Sequence, residues 1–322
     1  MNSQSIPENK VAIITVTYNS ADFIEQYLES VALFLKGTDH QLFLVDNQSN
    51  DNTVDIANHF AQTQQLTSQI HVIPANDNLG FGKGCNLGVK HAKAHKPTHL
   101  WFLNPDTIIF EDTAPALLQL LKEDTNIDFA GSILVDKNNT PRAGAFRFPT
   151  AINVFLSTMT LGILDKLFHK HTTAIPADNE TIEADWLTGA SFIVKYDCFE
   201  NLEGFDPQYF LYFEEVDLFF RAKQKGYVVS SCPKSKVFHI SGASTGINSK
   251  ETAIKRRPNY WFESRRYYYI KNYGKAYFLL VDLLFFLGFS LKRIRDFIQQ
   301  KDSQFPEHFA KDTFKHSLLG RF

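Results

Sequence analysis

Three polar clusters early in the chain have residue types suited to holding a charged ligand. Thr17-Tyr18-Asn19-Ser20 follows the apolar run Val11–Thr17, Asp46-Asn47-Gln48-Ser49-Asn50-Asp51 follows residues 41–45, and Asn104-Pro105-Asp106 follows residues 98–103. Each alone reads equally as a turn or helix cap, where Asn, Asp and Ser are ordinary. If the three apolar runs are parallel strands, however, all three clusters fall on the carboxyl edge of one sheet, where open α/β sheets bind ligands. Asp106, at a strand end and held by Pro105, suits a hard cation: Mg²⁺ or Mn²⁺ typically takes one or two carboxylates plus substrate phosphates. Residues 76–86 (NDNLGFGKGCN) also follow a predicted strand and open a helix, so backbone there could approach an anion. No GK[ST] follows, and Cys85 stands where a dinucleotide fingerprint needs its third Gly, so a plain turn stays open beside phosphate contact.

The acidic cluster Glu214-Glu215-x-Asp217 follows the aromatic run 209–213. Acids are stabilising in a first helical turn whatever their function. Against an aromatic wall, at least one should have a raised pKa and could serve as general base. On a helix, Glu214 and Asp217 share a face and Asp217 can reach Arg221 four residues on, which leaves Glu215 free. His239, at the end of a predicted strand, suits a metal ligand, a diphosphate contact or a satisfied loop histidine.

The elements that must position these residues alternate. Val11–Thr17, 41–45, 69–73 and 98–103 read as strands; 21–35, 53–62 and 80–94 read as helices. This predicts an α/β fold with a mostly parallel sheet and helices on both faces. Further strands are expected over 127–135, 144–148, 181–187, 190–195, 227–231 and 236–240, and helices over 153–169 and 214–225, the latter ending at Gly226 with Lys223 and Lys225 in its last turn.

The chain has 322 residues, 44% of them hydrophobic, enough for one large or two smaller cores. A net charge of −2 argues against a bulk nucleic-acid binder. Residues 250–300 carry eleven Lys/Arg against four Asp/Glu, a net of +7, so the rest of the chain carries −9. Aromatics are interleaved there with Arg256, Arg257, Arg265 and Arg266, and the apolar run 276–291, interrupted by Asp282, follows. At sixteen residues the run is short of a span. It predicts a C-terminal helical extension (250–322, after a catalytic domain over 1–249) that lies on an anionic lipid surface, or else packs on the protein or on a second copy in a homodimer. Three scattered cysteines, with no CxxC pair, make neither a disulfide framework nor a zinc site, and the N-terminus has no basic start and apolar core of a signal peptide. A reducing, cytoplasmic setting is expected, peripheral on the inner face of the plasma membrane.

The ordered set Thr17-Tyr18-Asn19, Val45-Asp46-Asn47-x-Ser49, Asn78-x-Gly80…Asn86-x-Gly88, Leu103-Asn104-Pro105-Asp106, Asp185-Trp186-x-x-Gly189-Ala190, Gly204-Phe205-Asp206, Phe213-Glu214-Glu215-x-Asp217-Leu218 and His239 resembles glycosyltransferase family 2. It is most similar to the rhamnosyltransferase-like enzymes of bacterial surface polysaccharide synthesis, over roughly residues 10–275. The resemblance implies a GT-A fold, a UDP- or dTDP-sugar donor, a divalent cation (Mg²⁺ or Mn²⁺), a glycan or lipid-linked acceptor and inversion at the anomeric carbon. It implies that Thr17, Tyr18, Asn19, Asp46, Asn78, Gly80, Lys83 and Asn86 surround the donor. Trp186 and Gly189 would line the acceptor site, and Asp106 and His239 would hold the metal. Asn104 replaces the first acid of the family's DxD-type motif. Glu215 stands where the family usually has the Asp of a Glu-Asp pair, so the base is Glu215, Glu214 or Asp217. Two other classes compete. A nucleotidyltransferase would usually show a Gly-rich loop with a basic residue after its first strand, where Thr17-Tyr18-Asn19 stands instead. A non-catalytic membrane scaffold would have no use for Asp46, Asp106 and Glu215.

Overall fold

Apolar residues at every position of a short run can be satisfied only by a strand buried on both faces. In β1 (Val11–Thr17), Val11 and Ile13 join one apolar cluster while Ala12 and Ile14 join the other. In β2 (Gln41–Asp46), Leu42 and Leu44 face the first cluster and Phe43 and Val45 the second. β3 (Ile70–Pro74) and β4 (His99–Leu103) complete a parallel half-sheet of order β3-β2-β1-β4. Helices α1 (Ile24–Leu35) and α2 (Thr53–Thr63) cover one face, and α3 (Phe81–Ala92) covers the other. The structure, a computed structural model, describes residues 9–159, 172–177, 180–240, 256–301 and 305–321.

The second half of the sheet is mixed. β5 (Thr107–Ile109), α4 (Thr113–Glu123), β6 (Ile127–Val135) and the short β7 (Pro141–Arg142) and β8 (Ala145–Phe146) follow β4. After α5 (Ala151–Met159) come β9 (Trp186–Leu187), β10 (Ser191–Lys195), α6 (Tyr196–Asn201), α7 (Glu214–Gln224) and β11 (Val228–His239). β10 lies antiparallel between β4 and β6, β11 runs parallel to β6, and β5 closes the edge antiparallel to β11. The carboxyl ends of β1, β2, β4, β6 and β11 therefore share one edge with the amino ends of β10 and β5.

Several sequence expectations shift. The strands over 227–231 and 236–240 are one strand, β11, whose register slips between Cys232 and Lys236. The strand over 181–187 contracts to Trp186–Leu187, preceded by an isolated bridge from Glu183 to Ser230. The helix over 153–169 is seen as α5; residues 160–169 lie outside the described residues.

The C-terminal extension contains α8 (Asn259–Ile298) and α9 (Phe309–His316). Forty helical residues would run about 60 Å if straight. They do not run straight, because Gly274 has φ 86° and ψ 167°. Arg265 Nη1 sits 2.9 Å from Asp282 Oδ1, both buried, although seventeen helical residues would separate them by about 25 Å. The chain folds back at Gly274 into two arms, residues 259–273 and 275–298. Asp282, which interrupts the apolar run in sequence, is thus the inward partner of Arg265. The second arm buries Phe278, Val281 and Phe285 and passes so close to α5 that a Cβ on Gly288 would stand 3.0 Å from the Phe155 carbonyl oxygen. Its other face leaves Leu280, Leu283, Leu287, Leu291, Ile294 and Ile298 exposed at helical spacing, beside exposed Lys275 and Arg293. By length and composition alone, α8 is the one described helix that could cross a membrane.

Candidate functional site

The β1 and β2 ends are laced together. Thr17 pairs in register with Asp46, and its hydroxyl donates to Asp46 Oδ1 at 3.0 Å. Asp46 is buried and also accepts from the Ser49 amide at 2.9 Å and the Ser49 hydroxyl at 2.5 Å. Ser49 in turn accepts from the Asn19 amide, and Asn19 Oδ1 accepts from the Asn50 amide. Asn19 holds the left-handed backbone (φ 50°) that this exchange requires, a conformation Asn tolerates better than most residues. Tyr18, between the fixed Thr17 and Asn19, is left 45% exposed at the rim.

The glycine-rich turn closes onto this edge. Gly80 has φ 76°, and a Cβ on it would lie 1.9 Å from the Phe210 carbonyl oxygen, so only glycine fits. That carbonyl accepts from the Phe81 amide at the head of α3. Asn78 Oδ1 accepts from the Gly80 amide, and buried Asn47 donates to the Gly80 carbonyl at 3.0 Å. Lys83 stands half-buried in the first turn of α3. The Asn86 side-chain amide donates to the Phe205 carbonyl at 2.8 Å and accepts from the Phe205 amide at 2.9 Å. It anchors α3 to the Gly204-Phe205-Asp206 turn, where the left-handed Gly204 would bring a Cβ to 2.5 Å from Asn86 Oδ1.

The acids gather further along the same edge. The Asn104 amide donates to the Ala190 carbonyl at 3.0 Å, tying the end of β4 to the start of β10. Buried Asp106 and half-buried His239 are brought together by the β5–β11 pairing, with Oδ2 and Nε2 3.3 Å apart. Cis ligands of an octahedral cation with bonds of about 2.1 Å lie roughly 3 Å apart, so this oxygen and nitrogen fit two places on one ion. Among the described residues, no group of three or more His, Cys, Asp or Glu side chains could hold a metal ion.

Glu215 lies against Gly189, where a Cβ would sit 3.1 Å from Glu215 Oε1. Burial raises its carboxyl above the ordinary glutamate value, against the opposing pull of its own amide and that of Gly189. Glu214 is more deeply buried, beside Gly82 of α3; burial and then the charge of Glu215 push it up strongly. Asp217, fully buried, is engaged by Arg221, Lys271, Asn272 and the Tyr209 hydroxyl. Trp186 stacks on Phe146 and donates to the Arg147 carbonyl at 3.0 Å, half-buried. Lys271 and Asn272 could not be assigned to the site from sequence, because they read only as part of a basic stretch 54 and 55 residues beyond Asp217.

A family model described as Glycosyl transferase family 2 matches residues 12–184. An N-acetylglucosaminyl-diphospho-decaprenol L-rhamnosyltransferase of Mycobacterium tuberculosis is 25% identical over 269 residues, covering 79% of this chain and 84% of that protein. The rhamnosyltransferase WbbL of Escherichia coli K12 is 26% identical over 241 residues, covering 72% and 83%. A crystal structure of GalNAc-T7 with UDP, GalNAc and Mn²⁺ superposes with a TM-score of 0.57 at 16% identity; it covers 98% of this chain, which spans 59% of that one. That likeness fixes the fold as GT-A.

Proposed function

The chain belongs to glycosyl transferase family 2 and is a glycosyltransferase, and from that premise we propose that it moves a hexose, rhamnose first among those to test, from a dTDP- or UDP-sugar to a hydroxyl of a glycan or lipid-linked acceptor in bacterial surface polysaccharide synthesis. One observation carries the reading. The Asp106–His239 pair and Glu215 lie on one sheet edge, joined through the Asn104–Ala190 hydrogen bond and the packing of Glu215 on Gly189.

Each residue has a task in that reaction. The Thr17–Asp46–Ser49 lattice and Tyr18 supply a wall for the nucleoside base. Asn78, Gly80 and Lys83, at the head of α3, face the diphosphate with backbone dipole and positive charge. Asp106 and His239 would hold a divalent cation, Mg²⁺ or Mn²⁺, which when bound would supply positive charge against the departing diphosphate. Glu215 takes the proton of the acceptor hydroxyl as its oxygen bonds to the anomeric carbon. The bond from that carbon to the diphosphate oxygen breaks on the opposite side, and the nucleoside diphosphate leaves with the electron pair. A single displacement with one base inverts the anomeric centre. Gly189, beside Glu215, and Trp186, three residues before it, line the acceptor side.

A lipid-linked acceptor would be met at a membrane, and the exposed leucine row on the second arm of α8, flanked by Lys275 and Arg293, supports peripheral attachment there. The three cysteines are buried and form no disulfide, in keeping with the reducing cytoplasmic side. The test is a panel of nucleotide sugars incubated with Mg²⁺ or Mn²⁺ and lipid-linked acceptor. Acceptor-dependent release of nucleoside diphosphate is expected. Pyrophosphate release would mark a nucleotidyltransferase instead, and no turnover with no nucleotide binding a scaffold.

A further inference from the structure

We propose that the first arm of α8 is a clamp on the general base, with Lys271 as the principal positioning residue and Ser264 and Asn272 as its supports; this rests on the assignment of Glu215 above. The turn before Glu214 is strained. Tyr212 and Phe213 both have φ 67°, a region that aromatic side chains rarely enter and that persists only when the surroundings enforce it. The enforcing contacts come from the first arm. Ser264 Oγ donates to the Leu211 carbonyl at 3.0 Å, Phe213 packs on Trp261 and Tyr268, and Tyr212 stacks on Tyr260.

The second hold lies one half-turn beyond Glu215. Lys271 Nζ reaches both oxygens of Asp217 at 2.8 Å and Asp206 Oδ2 at 2.7 Å; Asn272 adds a bond to Asp217 at 3.1 Å. Two buried or half-buried carboxylates are thus balanced by Lys271 and Arg221. Removing Lys271 leaves Asp217 buried with one cation for support, and α7 is free to shift. Lys271, Ser264 and Asn272 touch neither reacting group themselves and lie beyond the matched residues 12–184.

The test is steady-state kinetics on the full-length protein with whichever donor the nucleotide-sugar panel identifies. Lys271→Met should lower kcat at least tenfold per folded molecule with donor KM within about twofold, and Lys271→Arg should recover most of it. Ser264→Ala and Asn272→Ala, each removing one bond, should lower kcat several-fold with the same KM. If Lys271→Met does not fold, these two decide alone. Unchanged kcat in the folded variants, or a loss expressed as a raised donor KM, overturns the clamp. Wild-type protein that transfers no sugar at all overturns the functional reading beneath it instead.

Discussion

Glu214 and Glu215 stand side by side at the head of α7, and burial raises both carboxyls above the ordinary glutamate value. Such neighbours titrate as a pair. A base must be ionised, so transfer should accelerate as pH rises, with its acid-side inflection above the usual glutamate range. An inflection at about 4.3 would count against either acid as the base. Stability takes the opposite sign. With folded pKa above unfolded, the folded protein binds more protons between the two values; the contribution is full below the unfolded value and falls as pH rises through the folded one. Glu214→Gln should flatten the decline in stability that sets in as pH rises above the usual glutamate range, read by urea denaturation. Asp106→Ala should weaken Mn²⁺-dependent binding of UDP or dTDP at least tenfold by calorimetry; wild-type affinity would remove Asp106 from the cation site. Asp106 and Glu215 could be picked out in sequence because carboxylates at a strand end and in an aromatic setting are conspicuous. Asn86 and Asp217 also stand out as polar candidates, but their partners, Phe205 and Lys271, lie 119 and 54 residues away, and no local pattern carries that information.

At the scale of elements, two glycines with left-handed backbones separate conformational strain from collision. Gly274→Ala meets nothing within 4 Å and should cost about 1–3 kcal/mol from its backbone conformation alone. Gly80→Ala adds a Cβ at 1.9 Å from the Phe210 carbonyl oxygen and should cost at least about 3 kcal/mol, with donor affinity lost alongside. Equal losses in thermal denaturation would mean that the Phe210 loop yields. The strands β1 to β4 were legible because each is apolar on both faces, and the helices between them because their apolar stripe has the helical period. β5 and α4 were not. β5 has three residues, and α4 carries Pro115, which argues against a helix interior yet is harmless in a first turn where the amide has no partner. β10 enters the sheet from 88 residues beyond β4, an antiparallel insertion that only the assembled half-sheet can specify.

Seen whole, the protein sets its active edge on one sheet and an apolar row on one helical arm. Replacing Leu283, Leu287 and Ile294 with Gln removes three half-exposed apolar side chains. About 1 kcal/mol each, roughly a hundredfold in all, should be lost from partitioning onto vesicles of anionic phospholipid. Turnover with a water-soluble acceptor should be unchanged; undiminished sedimentation with the vesicles would leave the row without a lipid role. The apolar run 276–291 showed in sequence that something would be covered, but not that half of it turns inward onto Tyr268, Tyr269 and α5. That inward half decides how firmly the protein can hold a bilayer. An arm whose Asp282 is locked to Arg265 inside the fold could not be threaded through lipid without breaking the lock, so the attachment proposed above would be that of a float on the surface. Alkaline carbonate should lift it off, with no detergent, as an intact water-soluble enzyme.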